Sequence, residues 1–409
     1  MRLAKSPGSG GKVKSSAEDF VVEEITLGGM VLERDRVYSG SEPGLSDAKA
    51  EGGKFSIFVL QKRDWNTSSA LKEISRKVAR GIRSAGFAGS KDRTAISTQL
   101  CSMYGVEPAQ LLGVRLKDIT INGAWKGSHG VRLGDLLGNR FTITLKGVAD
   151  PRAVEEVHSE LSGIFPNYYG TQRFGTRGNN IQVGLDIIKG DFESAAMRIL
   201  SDSSSETNQD AVAARERLAS ERDFKGALQY FPRYLKNERL VLNHLSVFPN
   251  DYANAIRKIP RSVTLMYVHS VESHIFNRSL EERIKSGAGP QEGDLVCAAD
   301  RYGFPDMATV RAFNGGEREE GLFPVGNIVG YGTANLTAAE KGLMDGMGIT
   351  PESFKIDGMP ELNCKGAFRA LFSPYLDFSH SSEGADMKLS FSLPSGSYAT
   401  VLLDEFTGI

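Results

Sequence analysis

A carboxylate beside an ammonium group is the first feature of this chain that could do chemistry. In the stretch 86–99, GFAGSKDRTAISTQ, Lys91 and Asp92 sit in a segment that reads as strand, turn and strand. An aspartate in such a turn can hold backbone amides two residues on. It can equally serve as a nucleophile or a proton acceptor. The run 71–93 leads into it with Lys72, Arg76, Lys77, Arg80, Arg83, Lys91 and Arg93 against only Glu73 and Asp92. Cations at that density can displace counterions from a phosphate backbone, which makes Arg76, Arg80 and Arg83 candidate RNA-backbone contacts. A solvated helix face would carry the same charges.

Other chemistries find less support. Cys101, Cys297 and Cys364 are odd in number and widely spaced, which fits reduced thiols better than a disulfide framework or a Cys-rich zinc site. His269 and His274 lie five apart, so a helix would turn them to different faces, and no metal is expected. In SPGSGGKVKS, Gly11-Lys12 is followed by Val13 where a phosphate loop needs Ser or Thr. GTRGNN lacks dinucleotide spacing, and there is no Gly-x-Ser-x-Gly elbow.

The 409 residues exceed what one core usually organises, so two domains or one domain with a large insertion are expected. No apolar run approaches a membrane span and the N-terminal stretch lacks a signal-peptide core, giving a cytoplasmic expectation with no membrane partner. With 49 basic and 50 acidic residues the net charge is -1, so nucleic-acid binding would rest on local patches.

The elements that must position the Lys-Asp pair follow from patterning. EDFVVEEI (18–25), 55–65, 94–106 and 139–148 alternate as strands, while 67–84 reads as a basic amphipathic helix and 151–164 as another. A loop is expected at 39–54 and another at 201–210, then a helical region over 209–246 and a helix over 268–286. Gly- and Pro-rich turns are expected through 287–335, a helix at 364–374, a strand at 387–393, and a strand or helix at 397–406. Strands and helices mix without a βαβ rhythm, which favours an α+β fold.

Six stretches in order resemble one family: KSSAEDFVVEE (14–24), FAGSKDRTAISTQ (87–99), GNRFTITL (138–145), NYYGTQRFG (167–175), FNRSLEERI (276–284) and LPSGSYATVLLDE (393–405). Together they are similar to the TruD family of tRNA pseudouridine synthases over almost the whole chain. Tyr169 stands where Phe is more usual in that family.

The resemblance implies a catalytic domain of mixed, largely antiparallel sheet with helices, formed by 1–165 and 364–409. A family-specific α/β insertion domain would occupy 166–363. It implies isomerisation of uridine to pseudouridine in transfer RNA, at position 13 of the D arm, with no cofactor. Asp92 resembles the catalytic aspartate. Phe141 resembles the aromatic that stacks on the flipped base, and Phe20, with Lys14 and Glu18, a group near the active site. Asn139 would hold the catalytic loop or the uracil edge. Lys91 would keep Asp92 ionised, or, since neighbours on an extended chain point oppositely, would meet RNA phosphate or another carboxylate. Two further classes share parts of this pattern: an RNA-binding protein without catalysis, which would not need Asp92, and a base-excising glycosylase, which would release uracil.

Overall fold

The computed structural model describes residues 1–13, 16–45, 52–316 and 318–408. Lys14 lies outside them. The first part of the chain forms β1 (Phe20–Ile25), β2 (Phe55–Arg63), α1 (Thr67–Lys77), β3 (Ala85–Phe87), β4 (Ile96–Tyr104), α2 (Pro108–Leu112), β5 (Ile119–Gly127), β6 (Gly138–Leu145), α3 (Ala153–Leu161) and β7 (Ile164–Pro166). Seven helices follow: α4 (Asn180–Ile188), α5 (Phe192–Ser201), α6 (Gln209–Glu221), α7 (Phe224–Tyr230), α8 (Lys236–Leu245), α9 (Tyr252–Ile256) and α10 (Arg261–Ser286). The remainder is β8 (Leu295–Ala298), β9 (Arg311–Ala312), β10 (Leu322–Ile328), α11 (Ala338–Met347), β11 (Ala367–Ala370), β12 (Phe372–Pro374), β13 (Leu376–Glu383), β14 (Asp386–Pro394) and α12 (Ala399–Thr407).

An eight-stranded sheet in the order β13-β14-β6-β1-β4-β2-β5, with β3 also on β4, forms the base of the molecule. β1 and β4 run parallel, and the other described pairs in this sheet are antiparallel. β1 and β3 share β4, β1 against Ile96–Thr98 and β3 against Cys101–Met103. Phe20, Phe141, Ile143, Leu389 and Phe391 pack with α3 and α12 in one core. Phe58, Leu71, Ile74 and Met103 form another beneath α1. Each such side chain contributes about 1.5–3 kcal/mol by leaving water. A large separate core draws residues between Val183 and Cys364, and a four-stranded sheet, β11-β10-β8-β9, lies within the same part of the chain and its return.

Three sequence expectations change. The helix expected over 67–84 stops at Lys77, because Ala79 takes a left-handed conformation (φ 53°) and the Arg80 N–H turns back to the Ser75 carbonyl. The expected helix at 364–374 is two short strands: β11 pairs with β10, and β12 pairs with β7, so chain is handed from one sheet to another around Leu371. Apolar residues at 368, 371 and 372 fit a helix as well as two strands, and the long-range partners decide. The stretch 287–335 holds three strands among its turns, not turns alone. The region 209–246 is helical but broken at Arg222, whose φ is 51°, and again after Phe231.

Among the described residues no helix is long and apolar enough to cross a membrane. Cys101, Cys297 and Cys364 are all buried and unbridged.

Candidate active site

A cavity of about 570 Å³ is lined by Phe20, Lys91, Asp92, Asn139 and Phe141 together with residues from three later segments. Strand pairing explains the first group. Residues two apart on β1 share a face, so Phe20, Val22 and Glu24 point the same way. Across the ladder Val22 faces Phe141 and Glu24 faces Asn139, while the intervening Glu23 faces Arg140 on the reverse side. There Glu23 and Arg140 form an ion pair at 2.7 Å.

Phe141 is stacked on Phe391 with ring centroids 5.6 Å apart and meets Phe20 edge-on at 6.0 Å. It is 7 % exposed, so it belongs to the core while lending part of its surface to the cavity.

Lys91 is buried. Its ammonium pairs with Glu24 at 3.0 Å and donates to Asn139 Oδ1 at 2.6 Å. Glu24 is wholly buried and also accepts the Leu100 N–H at 2.9 Å. Burial pushes its carboxyl pKa up, opposed by the Lys91 charge and the Leu100 hydrogen bond. The cation beside Asp92 in sequence is thus paired with another carboxylate. Gly89 makes room for it: a Cβ there would lie 3.1 Å from the Lys91 ammonium.

Asp92 itself is exposed on the cavity wall, and the backbone around it is tied down. Lys62, 1 % exposed, reaches under the loop and donates to the carbonyls of Trp65 (2.5 Å), Asp92 (3.2 Å) and Lys91 (3.5 Å). Thr67 Oγ1 accepts the Lys91 N–H, and Gln99 donates to the Gly89 carbonyl, both at 2.9 Å. Burial, then repulsion from Lys91, lowers the Lys62 pKa to about 8.

The second group of lining residues comes from 169–173, β11 and 395–400. Arg369 places its guanidinium 4.3 Å from the Tyr169 ring centroid and donates to Asn167 Oδ1 (2.6 Å) and the Gly396 carbonyl (3.0 Å). Arg173 approaches the same ring at 5.1 Å. The electron-rich face of Tyr169 attracts each cation, and two guanidiniums give this part of the cavity a field suited to phosphate. Tyr169, Arg173, Arg369 and Tyr398 carried no site role in the sequence reading. The motifs NYYGTQRFG and LPSGSYATVLLDE already contained three of them.

The other candidates stand elsewhere. Glu18 is exposed, pairs with Arg63 and is outside the cavity lining. Arg76 bonds Glu73 on its own helix at 2.6 Å, Arg80 reaches the Gly105 carbonyl, and Arg83 lines a separate shallow cleft with His129 and Arg132. None of the three lines the Asp92 cavity.

Comparison with known proteins shows the family of the chain. The family model described as tRNA pseudouridine synthase D (TruD) matches residues 1–406. A protein of Methanococcoides burtonii named "Probable tRNA pseudouridine synthase D" is 31% identical, with 98% of this chain and 94% of its own covered. One of the same name from Methanopyrus kandleri is 34% identical over 87% of this chain and 86% of its own. The crystal structure of a Methanosarcina mazei protein named "Putative tRNA pseudouridine synthase D (TruD)" superimposes with a TM-score of 0.76 at 29% identity, covering 100% of this chain and 96% of that one. A match along nearly the whole length, over a mainly antiparallel sheet whose inner strands β1 and β6 meet the Asp92 loop in one cavity, means that the chain belongs to the TruD family of tRNA pseudouridine synthases, isomerases of uridine in transfer RNA.

Proposed function

We propose that the cavity receives a uridine turned out of the D arm of transfer RNA, at position 13, and that Asp92 is its catalytic carboxylate. The reaction breaks the bond from C1′ to N1, turns the uracil while it is held, and joins C5 to C1′. The proton on C5 is lost and N1 gains one, so no redox partner or group donor enters the balance. A route in which the carboxylate attacks sugar or base and one in which it removes a sugar proton both require an ionised, rigidly held carboxylate.

The observation that supports this reading is the fixed backbone of the loop. The Lys62 ammonium holds the Asp92 and Lys91 carbonyls, while the Lys91 ammonium is occupied by Glu24 and Asn139. Positioning of a reacting group to this degree is a large part of catalysis. Phe141 offers an apolar surface for the extruded base, whose unstacking costs a few kcal/mol, and Phe20 supports that ring. Asn139 holds the Lys91 end of the loop. Arg173 and Arg369 suit the phosphates flanking the target.

In this reading 1–165 and 364–409 form the catalytic domain and 166–363 a second lobe, with transfer RNA held between them in the cytoplasm. Lys14 belongs to the same proposal as a substrate-binding residue.

The test is nucleoside analysis of unmodified transfer RNA incubated with the purified chain and no added cofactor. Wild type is expected to form pseudouridine at the D arm. Asp92→Asn, which keeps the side-chain shape, is expected to fold and bind RNA but to lose turnover by ~10³-fold or more. Asp92→Ala, which cannot regain a carboxylate by deamidation, should behave alike. Substantial turnover by both variants would remove Asp92 from the chemistry, and free uracil as product would favour a glycosylase.

A further inference from the structure

The structure brings together three side chains that sequence spacing kept apart. His269 and Glu272 stand one turn apart on α10, hence on one face. Cys364 arrives beside them from the segment that leads into β11, its backbone N–H bonded to the Phe354 carbonyl. One donor atom from each residue lies within 4.8 Å of the other two. His274, the neighbour that sequence reasoning weighed against His269, is not in the group.

We infer that His269, Glu272 and Cys364 form a zinc site that fastens the returning chain to the middle of α10.

The donor set selects the ion. An imidazole nitrogen, a thiolate sulfur and a carboxylate oxygen suit borderline-soft Zn²⁺, whereas Mg²⁺ and Ca²⁺ take oxygen shells. Three protein ligands leave a fourth tetrahedral position for water. Charge points the same way. Glu272 is 5 % exposed and makes no ion pair among the described residues. A buried carboxylate is costly without a close counter-charge, and the cation that reaches this one, Arg173, acts through space and not as an ion pair. A dication bound by one carboxylate and one thiolate leaves the cluster neutral. On binding, the Cys364 Sγ–H bond breaks, its proton goes to solvent and the sulfur lone pair forms the metal bond. The half-buried His269 leaves a path from solvent.

The site is separate from the Asp92 cavity, whose lining includes none of the three residues. The inference therefore stands or falls independently of the tRNA reading.

The test uses the full-length chain. Protein produced in zinc-supplemented medium and dialysed is expected to hold one zinc per chain by elemental analysis. Exchange for Co²⁺ should give tetrahedral visible bands and a near-ultraviolet thiolate-to-cobalt band. Cys364→Ser should lose the thiolate band with an unchanged circular dichroism spectrum. His269→Ala should keep that band but bind cobalt at least ~10-fold more weakly, since even outer-shell partners of metal ligands are worth that much. A folded wild-type chain with no stoichiometric zinc and no thiolate band would overturn the site. So would the same band in Cys364→Ser, which would place the metal at Cys101 or Cys297. Should Cys364→Ser fail to fold, the wild-type metal content and the His269→Ala affinity still decide the matter.

Discussion

The two groups of residues around the Asp92 cavity are held by different physics. The first, from β1, β6 and the loop 88–95, is fixed from beneath by buried charge: Lys91 on Glu24, and Lys62 on three backbone carbonyls. The second is fixed by one guanidinium, Arg369, which stacks on Tyr169 and bonds both Asn167 and Gly396. The first arrangement suits a group that must not move during chemistry. The second is partly exposed to solvent and collects three segments far apart in the chain, which suits a surface that adjusts to a large polyanion.

The difference can be broken most forcefully at Glu24. Glu24→Gln leaves the Lys91 ammonium buried without its counter-charge and is expected to destabilise the fold by about 3–5 kcal/mol. The double variant Glu24→Gln, Lys91→Met should recover much of that loss in denaturant unfolding. A near-neutral single variant would mean that buried charge does not fix the first group.

Arg369→Lys keeps the charge but loses the planar fork and its stacking on Tyr169. Its charge-assisted hydrogen bonds make the expected cost about 1.5–3 kcal/mol. RNA affinity should fall with Asp92 chemistry intact once substrate saturates. Equal loss of kcat at saturating RNA would show that the two groups are not independent.

Lys62 gives a pH signature. Its folded pKa, about 8, lies below the ordinary lysine value of 10.5. Below pH 8 it is charged in both folded and unfolded chains, and the penalty of burying it is fully present. Between 8 and 10.5 the unfolded chain binds the extra proton, so this group's contribution to stability rises with pH. The clamp on the Asp92 loop weakens over the same range. Turnover should fall above about pH 8, by up to about tenfold per pH unit for a single essential proton, while the fold is not weakened by this residue. A flat alkaline profile to pH 9 would show that the ammonium is not needed.

The smallest effect is expected outside the cavity. Replacing Arg76, Arg80 and Arg83 together by Gln should make the salt dependence of RNA binding shallower by no more than about one phosphate's worth, a slope change of ~0.7–0.9. The three lie on different elements, and the first two already have protein partners. A change of about three such units would restore them as one RNA-facing row.

This contrast also marks what was legible in the sequence. Asp92, Phe141, Asn139 and Phe20 could be singled out because each sits in a short motif, and alternation predicts the strands that carry the last three. The partner of Lys91 could not, because Glu24 is reached only through the pairing of β1 with β6 and β4. The clamp by Lys62 was equally hidden, since a lysine in KRDW reads as surface. Arg369 and Asn167 are 202 residues apart in the chain. Local patterning contains no register between such segments, and it misread β11 and β12 as a helix for the same reason. The gathering of His269, Glu272 and Cys364 is a third case: i, i+3 spacing is visible, the arrival of a distant thiol is not.

The pairing of β6 with β14 carries a consequence for synthesis. Lys146, just beyond β6, bonds Asp386 at the start of β14, 240 residues later in the chain. At ~5–20 residues per second a ribosome needs on the order of 10–50 s to cover that interval. Throughout it, the nascent β6 presents an unpaired hydrogen-bonding edge and Phe141 lacks the Phe391 ring that covers it. The helical part encoded between them can close its own core first. A newborn chain of this kind is exposed to edge-to-edge association until its last strand emerges, so slow translation after residue 145 is a hazard for its yield, and a chaperone that shields sheet edges is its natural remedy.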